Sequence, residues 1–470
     1  MSILIRGGRI VTAADDYVAD VLVEGERVAL IGADLDVAAE RVLDASGKYV
    51  LPGCIDPHTH LDMPFGGTVT IDDFESGQGS AACGGTTCHV DFCIQGKGQT
   101  FAQALETWHA KANGKSLIDY SFHIAITDLA DAERLEELAA LPEQGITSYK
   151  LFMAYKNVLQ VDDETLFRAM EVAAASGALV MVHAENGDAI DVLVREALVR
   201  GDTAPIHHAL TRPPELEGEA TNRAIQLARI AGSPLYVVHV TCREAVEPIR
   251  RAREQGWNVW GETCTQYFFR SMDDLALPDF VGAKYVYSPP ARDPSNHDVL
   301  WDAVRTDALS AISTDHCAFL WDGQKTLGKD DFTRIPNGGP GLEDRLKMIH
   351  HFGVGAGRIS LNRMVDLLAT QPAKLFGLYP RKGTVAVGAD ADLVVFDPER
   401  RETISASTHH SRCDYSLYEG TEVVGAPELV LLRGSVLVED GELLGTPGSG
   451  RFIARARWGE RLESGAAVPS

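Results

Sequence analysis

Between about residue 54 and residue 380, apolar and β-branched runs alternate with amphipathic stretches, and this alternation limits the possible folds more than any other feature. Stretches such as 163–176 and 221–231 have helical periodicity. Eight strands that alternate with helices predict an α/β protein with a (β/α)8 TIM-like barrel. The apolar runs predicted as strands are Cys54–His60, Thr86–Phe92, Tyr120–Ile126, Thr147–Met153, Leu179–Ala184, Leu235–Val240, Asn258–Thr263 and Leu309–Asp315.

Both ends of the chain show a different pattern, in which short strands are separated by turns. We therefore expect a second, smaller β-sandwich domain built from residues 1–53 and 381–445, with the barrel, 54–380, inserted between them. The tail, 446–470, has few core positions. We expect it to be disordered or held by a neighbouring subunit. The clearest short strands are Ser2–Ile5, Asp20–Glu24, Arg27–Ile31, Ala391–Phe396 and Leu429–Gly434.

The charge and the cysteines restrict the partners and the compartment. With 43 basic and 67 acidic residues, the net charge is -24, which argues against nucleic acid or an anionic membrane as a partner. No apolar run reaches membrane-spanning length, and the N-terminus lacks a signal-peptide pattern. Cys83, Cys88 and Cys93 fit no standard zinc motif, and most cysteines lie in apolar runs where a reduced thiol is expected. We expect a reduced, cytoplasmic protein.

Two histidines end the first predicted strand, in the sequence Ile55-Asp56-Pro57-His58-Thr59-His60. Side chains two residues apart on a strand point to the same face, so His58 and His60 aim their imidazoles at one point, as a metal ion requires. For this pair alone, two histidines satisfied by hydrogen bonds near a strand end remain the alternative.

Later strand ends carry more residues of the types that bind metals. In a barrel, the carboxyl ends of the strands converge on one mouth. Four histidines and a carboxylate suit borderline metals such as zinc, and five ligands fit two ions about 3.5–4 Å apart better than one tetrahedral ion. The residues that join His58 and His60 at these strand ends are Lys150, His183, His239 and Asp315.

Lys150 is unusual in such a group, because an ammonium beside two divalent cations would be strongly repelled. A lysine that loses its proton could react with carbon dioxide to form a carbamate, whose two oxygens could bridge two metals. The alternative is a lysine whose ammonium points to solvent. The apolar run Tyr149–Met153 around it argues against that alternative.

These motifs together resemble the dihydropyrimidinase and hydantoinase family of cyclic amidohydrolases. The resemblance runs from the N-terminal strands to residues 388–393 and implies a barrel with a composite β-sandwich. It also implies a homotetramer, in which the tail could contact a neighbouring subunit. The motifs that carry the resemblance are Gly53–Leu61, Ser148–Tyr155, His183–Asn186, Ser288–Pro290 with Arg292, Ser313–Cys317, and Asn337–Gly341 with Glu343.

The resemblance implies two zinc ions per chain. It also implies that Tyr155 donates to the developing oxyanion, and that Ser288 and Asn337 hold the amide edge of the substrate. Asp315 would serve as both a metal ligand and the proton-transfer group. The six implied metal ligands are His58, His60 and Asp315 for one ion, His183 and His239 for the other, and carboxylated Lys150, together with a hydroxide, as the bridge.

The implied reaction is hydrolysis of dihydrouracil, dihydrothymine or hydantoin to an N-carbamoyl amino acid. Dihydroorotase-like enzymes usually have an arginine just after the H-x-H pair, whereas Leu61–Pro64 contains no cation, which favours a neutral ring. An allantoinase-like activity stays open, as does a non-catalytic scaffold role known among relatives that have lost metal ligands. Four apolar residues either contact the group on the substrate ring or pack the loops, namely Met63, Phe65, Phe152 and Leu159.

Overall fold

The computed structural model describes residues 2–129 and 131–460. The chain begins with five strands that contribute to one large sheet. Strands β2 and β3 follow β1 as an antiparallel meander, whereas β4 and β5 pair with β1 in parallel. The bounds of these strands are β1 Ser2–Val11, β2 Asp16–Glu24, β3 Arg27–Gly32, β4 Arg41–Asp44 and β5 Tyr49–Pro52.

In the described part of the chain, eight parallel strands form the barrel, as predicted. Strand β6 (Cys54–Thr59) begins it, and a short hairpin follows, made of β7 (Pro64–Phe65) and β8 (Thr68–Val69). Each barrel strand pairs with the next along the chain, and a bridge between Thr59 and His316 joins the last strand to the first. The other barrel strands are β9 Thr86–Ile94, β10 Asp119–Ala125, β11 Ser148–Phe152, β12 Leu179–His183, β13 Leu235–Val237, β14 Val259–Cys264 and β15 Ala311–Ser313.

Helices connect the barrel strands and cover the barrel. Helix α4, for example, begins after Asp162, whose side chain accepts from the Thr165 amide at 2.8 Å, and it ends at Gly177, where φ is 76°. Among the described residues, no helix is both long and apolar enough to cross a membrane. The α-helices are α1 Ser76–Cys83, α2 Phe101–Ala112, α3 Ala132–Ala140, α4 Asp163–Ser176, α5 Gly187–Arg200, α6 Ile206–Leu210, α7 Pro214–Ala231, α8 Arg243–Glu254, α9 Met272–Leu275, α10 Ser295–Arg305, α11 Arg345–Ile349, α12 Leu361–Val365 and α13 Gln371–Leu375.

Shorter helical turns lie in the loops and after two of the last helices. Two π-helical segments directly continue α11 and α12, and they are His350–Gly355 and Asp366–Thr370. The 3-10 helices are Leu141–Gln144, Thr265–Phe268, Val281–Tyr285, Lys325–Gly328 and Phe332–Arg334.

After the barrel, the chain returns to the first sheet. Strand β16 pairs antiparallel with β5, so the two chain ends are joined directly, and the described sheet has the order β19-β18-β17-β16-β5-β1-β2-β3, with β4 on β1. Ile3, Val21 and Leu393 belong to a core separate from that of the barrel. A second β-domain built from both chain ends is thereby confirmed. Its last strands are β16 Leu393–Thr403, β17 Glu422–Leu432, β18 Ser435–Glu439 and β19 Glu442–Leu443.

The described part of the tail packs against the chain's own barrel, which contradicts the alternative that it is disordered, and its contact with a neighbouring subunit stays a prediction. Ile453 is buried, and Arg455 enters the floor of the chain's own barrel, where it donates to Ser148 Oγ at 2.8 Å. A single extended pass of this kind has no periodicity that the sequence could reveal. The rest of the predicted oligomer contact, 461–470, lies outside the described residues.

Candidate active site

All nine predicted site residues line one cavity at the mouth of the barrel. They come from the ends of strands β6, β11 and β12 and from the segments that follow β13, β14 and β15. The carboxyl ends of parallel barrel strands meet at one face, which explains why residues far apart in the sequence converge there. The nine residues are His58, His60, Lys150, Tyr155, His183, His239, Ser288, Asp315 and Asn337.

The first half of the site is a cluster of two imidazoles and a carboxylate that lie close enough to hold one cation. The Nε2 atoms of His58 and His60 each lie 3.1 Å from Asp315 Oδ1. His58 Nδ1 is 2.5 Å from Glu262 Oε1. If Nδ1 donates to that carboxylate, the lone pair on His58 Nε2 faces Asp315.

The charges of this cluster require a cation or protons between its members. Burial acts to lower the pKa of His58, but the carboxylates of Asp315 and Glu262 raise it to about 9. Burial lowers the pKa of His60 to about 4. Although burial disfavours ionisation of Asp315, the two imidazoles hold its pKa well below the usual value. A divalent cation satisfies the same three groups without protonating the histidines.

The second half of the site is a pair of histidines whose ring nitrogens face each other. His183 Nε2 lies 2.8 Å from Glu185 Oε2, to which it donates, so that the other nitrogen, Nδ1, carries the lone pair. This Nδ1 lies 2.9 Å from His239 Nε2. The remaining nitrogens His239 Nδ1 and His60 Nδ1 are buried and have no hydrogen-bond partner among the described residues. Two imidazole nitrogens aimed at one point are the arrangement of two ligands of one cation.

Lys150 lies in the same cavity and is 1% exposed. Its Nζ is 5.0 Å from the ring centroids of both Phe92 and Phe152. Its charge acts on His60 in one half of the site and on His239 in the other. Burial lowers the pKa of Lys150 to about 7. In a fraction of the molecules, Lys150 is therefore a neutral amine at neutral pH. The neutral amine is the form that reacts with carbon dioxide.

Three buried carboxylates hold the predicted ligands and their strands in place. They were not among the residues predicted from the sequence. Glu262 and Glu185 contact the imidazoles, whereas Asp56 accepts from Thr314 Oγ1 at 2.7 Å and so ties β6 to the segment after β15. A signal was present for Glu262, since it lies within the predicted seventh strand. A carboxylate buried in a barrel strand needs a partner.

Three of the nine residues have left-handed backbone conformations, with φ of 66° at Tyr155, 41° at His239 and 50° at Asp315. Residues other than glycine rarely adopt this conformation, and those that do cluster at functional sites. At His239 and Asp315 the turn comes just after the barrel strand ends.

The other wall of the cavity carries polar groups suited to a small amide. Asn337 Nδ2 donates to Ser288 Oγ at 3.2 Å. The Tyr155 ring lies 5.2 Å from that of His183, between centroids. Burial raises the pKa of Tyr155, so the phenol keeps its proton at neutral pH and can donate it in a hydrogen bond. The apolar residues of the same cavity include Met63, Phe65, Phe152 and Leu159.

Known proteins are similar to this chain along almost its whole length. The model of the Amidohydrolase family matches residues 49–437. The D-hydantoinase of Geobacillus stearothermophilus is 56% identical over 460 residues, which cover 98% of each chain. The D-hydantoinase of Streptomyces coelicolor is 52% identical and covers 96% of this chain and 98% of that protein. The crystal structure of dihydropyrimidinase from Brevibacillus agri has a TM-score of 0.97 at 54% identity, and the match covers 98% of this chain and 100% of that chain.

Proposed function

The chain belongs to the amidohydrolase family and is a cyclic amide hydrolase, and on this premise we propose that it uses two zinc ions to open dihydropyrimidine and hydantoin rings. Its substrates would be dihydrouracil, dihydrothymine or hydantoins, and its products N-carbamoyl amino acids. One observation carries the proposal. Two ligand clusters and the buried Lys150 line one cavity.

The chain's own residues fit a pair of cations, because His58, His60 and Asp315 lie close enough to hold one ion and the ring nitrogens of His183 and His239 lie 2.9 Å apart. Two buried ring nitrogens, His60 Nδ1 and His239 Nδ1, also have no hydrogen-bond partner among the described residues. When bound, the two ions would supply a hydroxide at neutral pH and polarise the carbonyl that it attacks. The proposed ligands are His58, His60 and Asp315 for one ion, His183 and His239 for the other, and carboxylated Lys150 as the bridge.

Carboxylation of Lys150 would convert a repelled ammonium into an anionic ligand. The ammonium first gives its proton to solvent, and the neutral amine attacks the carbon of carbon dioxide. A C–N bond forms, one C–O π bond becomes the carboxylate, and the nitrogen releases a second proton. The side chain changes from a charge of +1 to one of −1. This change removes the repulsion that a lysine would otherwise exert on two cations.

Proton transfer and substrate binding would be carried out by residues of the cavity wall. Asp315, which is ionised at neutral pH, would take the proton of the attacking hydroxide and deliver it to the leaving ring nitrogen. The Tyr155 phenol would donate to the carbonyl oxygen as negative charge develops on it. Ser288 and Asn337 would hold the amide edge of the ring, largely through backbone groups.

A hydrolysis panel with zinc-loaded protein tests the substrate class. We expect turnover of dihydrouracil, dihydrothymine and hydantoin, and little turnover of dihydroorotate because Leu61–Pro64 offers no cation for its carboxylate. Allantoin hydrolysed faster than all three would support an allantoinase-like activity instead. Metal analysis should find about two ions per chain. A chain purified without bound metal and unable to take up zinc would contradict the proposal and favour the scaffold role.

Assembly and location form a further part of the proposal. The resemblance to the hydantoinase family supports a homotetramer. The net charge of -24 argues against nucleic acid or an anionic membrane as a partner, and the cysteine pattern supports a reduced, cytoplasmic protein. Light scattering of the purified protein tests the assembly. We expect a mass four times that of the 50.9 kDa chain, and a mass of one chain would contradict it.

A further inference from the structure

A buried lysine that belongs to neither metal cluster lies behind the substrate wall of the cavity. Lys325 begins the 3-10 helix Lys325–Gly328 and is 0% exposed. Its Nζ donates to three backbone carbonyls, those of Val286 at 2.8 Å, Pro336 at 2.8 Å and Gly338 at 2.6 Å. Because an ammonium has three N–H donors, every donor of Lys325 is used on backbone.

Among the described residues, no ion pair accounts for this lysine. Burial lowers the pKa of Lys325 to about 7, and donation to three carbonyls favours the protonated form, which has three N–H donors. A buried charge is costly unless polar groups compensate it, and here three carbonyl dipoles do so. The position of those carbonyls therefore indicates what the lysine does.

The three carbonyls bracket the residues proposed to hold the substrate. Val286 lies two residues before Ser288, and Pro336 and Gly338 stand on either side of Asn337. The Gly338 amide also donates to the Val286 carbonyl at 3.0 Å. Lys325 thus binds the two loops to each other immediately behind the side-chain hydrogen bond from Asn337 to Ser288.

The same turn also holds a third wall of the cavity. Gln324 Nε2 donates to Thr68 Oγ1 and to the Val69 carbonyl, each at 2.8 Å, and both belong to the β7–β8 hairpin. That hairpin carries Phe65, whose ring meets the Tyr155 ring edge to face at a centroid distance of 5.4 Å. The turn at 324–325 therefore connects three segments that line the substrate cavity.

We propose that Lys325 is a positioning residue for substrate binding, whose ammonium sets the spacing between the loop of Ser288 and the loop of Asn337. The inference rests on the proposed function, in which these two residues hold the amide edge of the ring. Lys325 does not line the cavity, and its hydrogen bonds go to backbone carbonyls and not to the predicted metal ligands. Its removal should therefore affect KM more than kcat.

The test compares full-length, zinc-loaded Lys325→Met and Lys325→Gln with the unmodified enzyme, using dihydrouracil and hydantoin. Methionine keeps the unbranched lysine stem to within one atom but has no donor, and a glutamine amide has two N–H donors. We expect KM to rise about 10- to 100-fold in Lys325→Met and by less in Lys325→Gln, the range that loss of hydrogen bonds from a charged donor gives. We expect kcat to change less than about threefold and both variants to keep two metal ions.

Lys347→Met serves as the matched control. Lys347 is also a buried lysine, but its Nζ lies 3.4 Å from Glu402 and 3.7 Å from Asp344, away from the substrate loops. This variant should lose thermal stability and keep its KM. A drop in thermal stability in Lys325→Met with unchanged KM would overturn the inference, and so would loss of the metal ions. If Lys325→Met does not fold, Lys325→Gln decides by the same criteria. Failure of the proposed function would appear in the unmodified enzyme, as no turnover of either substrate.

Discussion

The two ends of the barrel both bury groups of charged side chains, and at the floor the carboxylates are paired with cations of the chain. There, Lys382 Nζ lies 2.7 Å from Asp119 and 3.1 Å from Asp390, and it also contacts Asp392. Arg433 forms a second ion pair with Asp119. Burial alone would lower the pKa of Lys382, but the surrounding carboxylates raise it above its ordinary value. The floor thus holds its carboxylates with cations of its own.

At the mouth, the predicted ligands are hydrogen-bonded mainly to one another and to neighbouring carboxylates. His183 Nδ1 and His239 Nε2 form a hydrogen bond at 2.9 Å, and Nδ1 of His60 and of His239 has no partner among the described residues. Both ends contain a trio of groups close enough to hold a metal ion, which at the floor is Asp119, Asp390 and Asp392. Clustering alone therefore does not identify a cation site. What distinguishes the mouth is that its imidazoles and Asp315 are paired with one another and with Glu185 and Glu262, whereas the floor carboxylates are paired with lysine and arginine.

The strongest test of this difference is Lys150→Ala. We expect the variant to fold, to lose both metal ions, and to lose at least about 1,000-fold in kcat, because the anionic bridge between the clusters is gone. Metal analysis and circular dichroism measure the two effects separately. Lys374→Ala, which removes an exposed lysine on α13, is the control and should keep two ions. Normal zinc content in Lys150→Ala would refute the carbamate.

Asp315→Asn tests whether Asp315 transfers the proton, in a variant that should keep its fold. The amide keeps the shape of the side chain but cannot accept the proton, so we expect kcat to fall about 100- to 10,000-fold in a folded protein. Steady-state kinetics should be accompanied by metal analysis, since Asp315 is also a proposed ligand. Turnover at the unmodified rate would remove Asp315 from the proton path.

Lys382→Met tests the floor by taking away its central cation. Asp119 would keep Arg433 and Asp390 would keep Arg27 and Arg381. Asp392 would lose its only ion pair among the described residues, so we expect a loss of about 3–5 kcal/mol in the free energy of unfolding. Urea denaturation of the unmodified protein and the variant measures this difference. At temperatures where the variant stays folded, kcat, KM and metal content should match those of the unmodified enzyme. A parallel loss of metal would show that floor and mouth are coupled.

The barrel and the residues at its mouth could be anticipated from the sequence, because strand periodicity is local and barrel strand ends converge by geometry. All eight predicted barrel strands exist, and the main errors lie at their carboxyl ends. Strand β13 was predicted to reach Val240 but ends at Val237, two residues before His239 adopts a left-handed φ of 41°. Strand β15 was predicted to reach Asp315 but ends at Ser313, because Asp315 has a φ of 50°.

The partners of the predicted residues could not be anticipated in the same way. Glu262 and Lys325 act through groups that lie far away in the chain, and no local pattern marks those distances. Arg455 reaches the floor of the barrel from a tail whose sequence has no helical or strand periodicity. The role of each residue depends on a contact between its charged group and a carbonyl, hydroxyl or imidazole that is distant in the sequence.

The smallest expected effect concerns the apolar side of the mouth, where Leu159 packs with Phe152 in the cluster next to Phe65 and Tyr155. Replacing Leu159 with phenylalanine should narrow the space beside the substrate ring. We expect kcat/KM for 5-substituted hydantoins to change about 10-fold relative to hydantoin itself, as one or two methylenes do in an apolar pocket. Val199→Phe, at a position 88% exposed on α5, controls for the added aromatic ring and should leave the ratio unchanged. Equal ratios in Leu159→Phe and the unmodified enzyme would mean that Leu159 only packs the loop, so that the group on the ring is selected by other residues of the cavity.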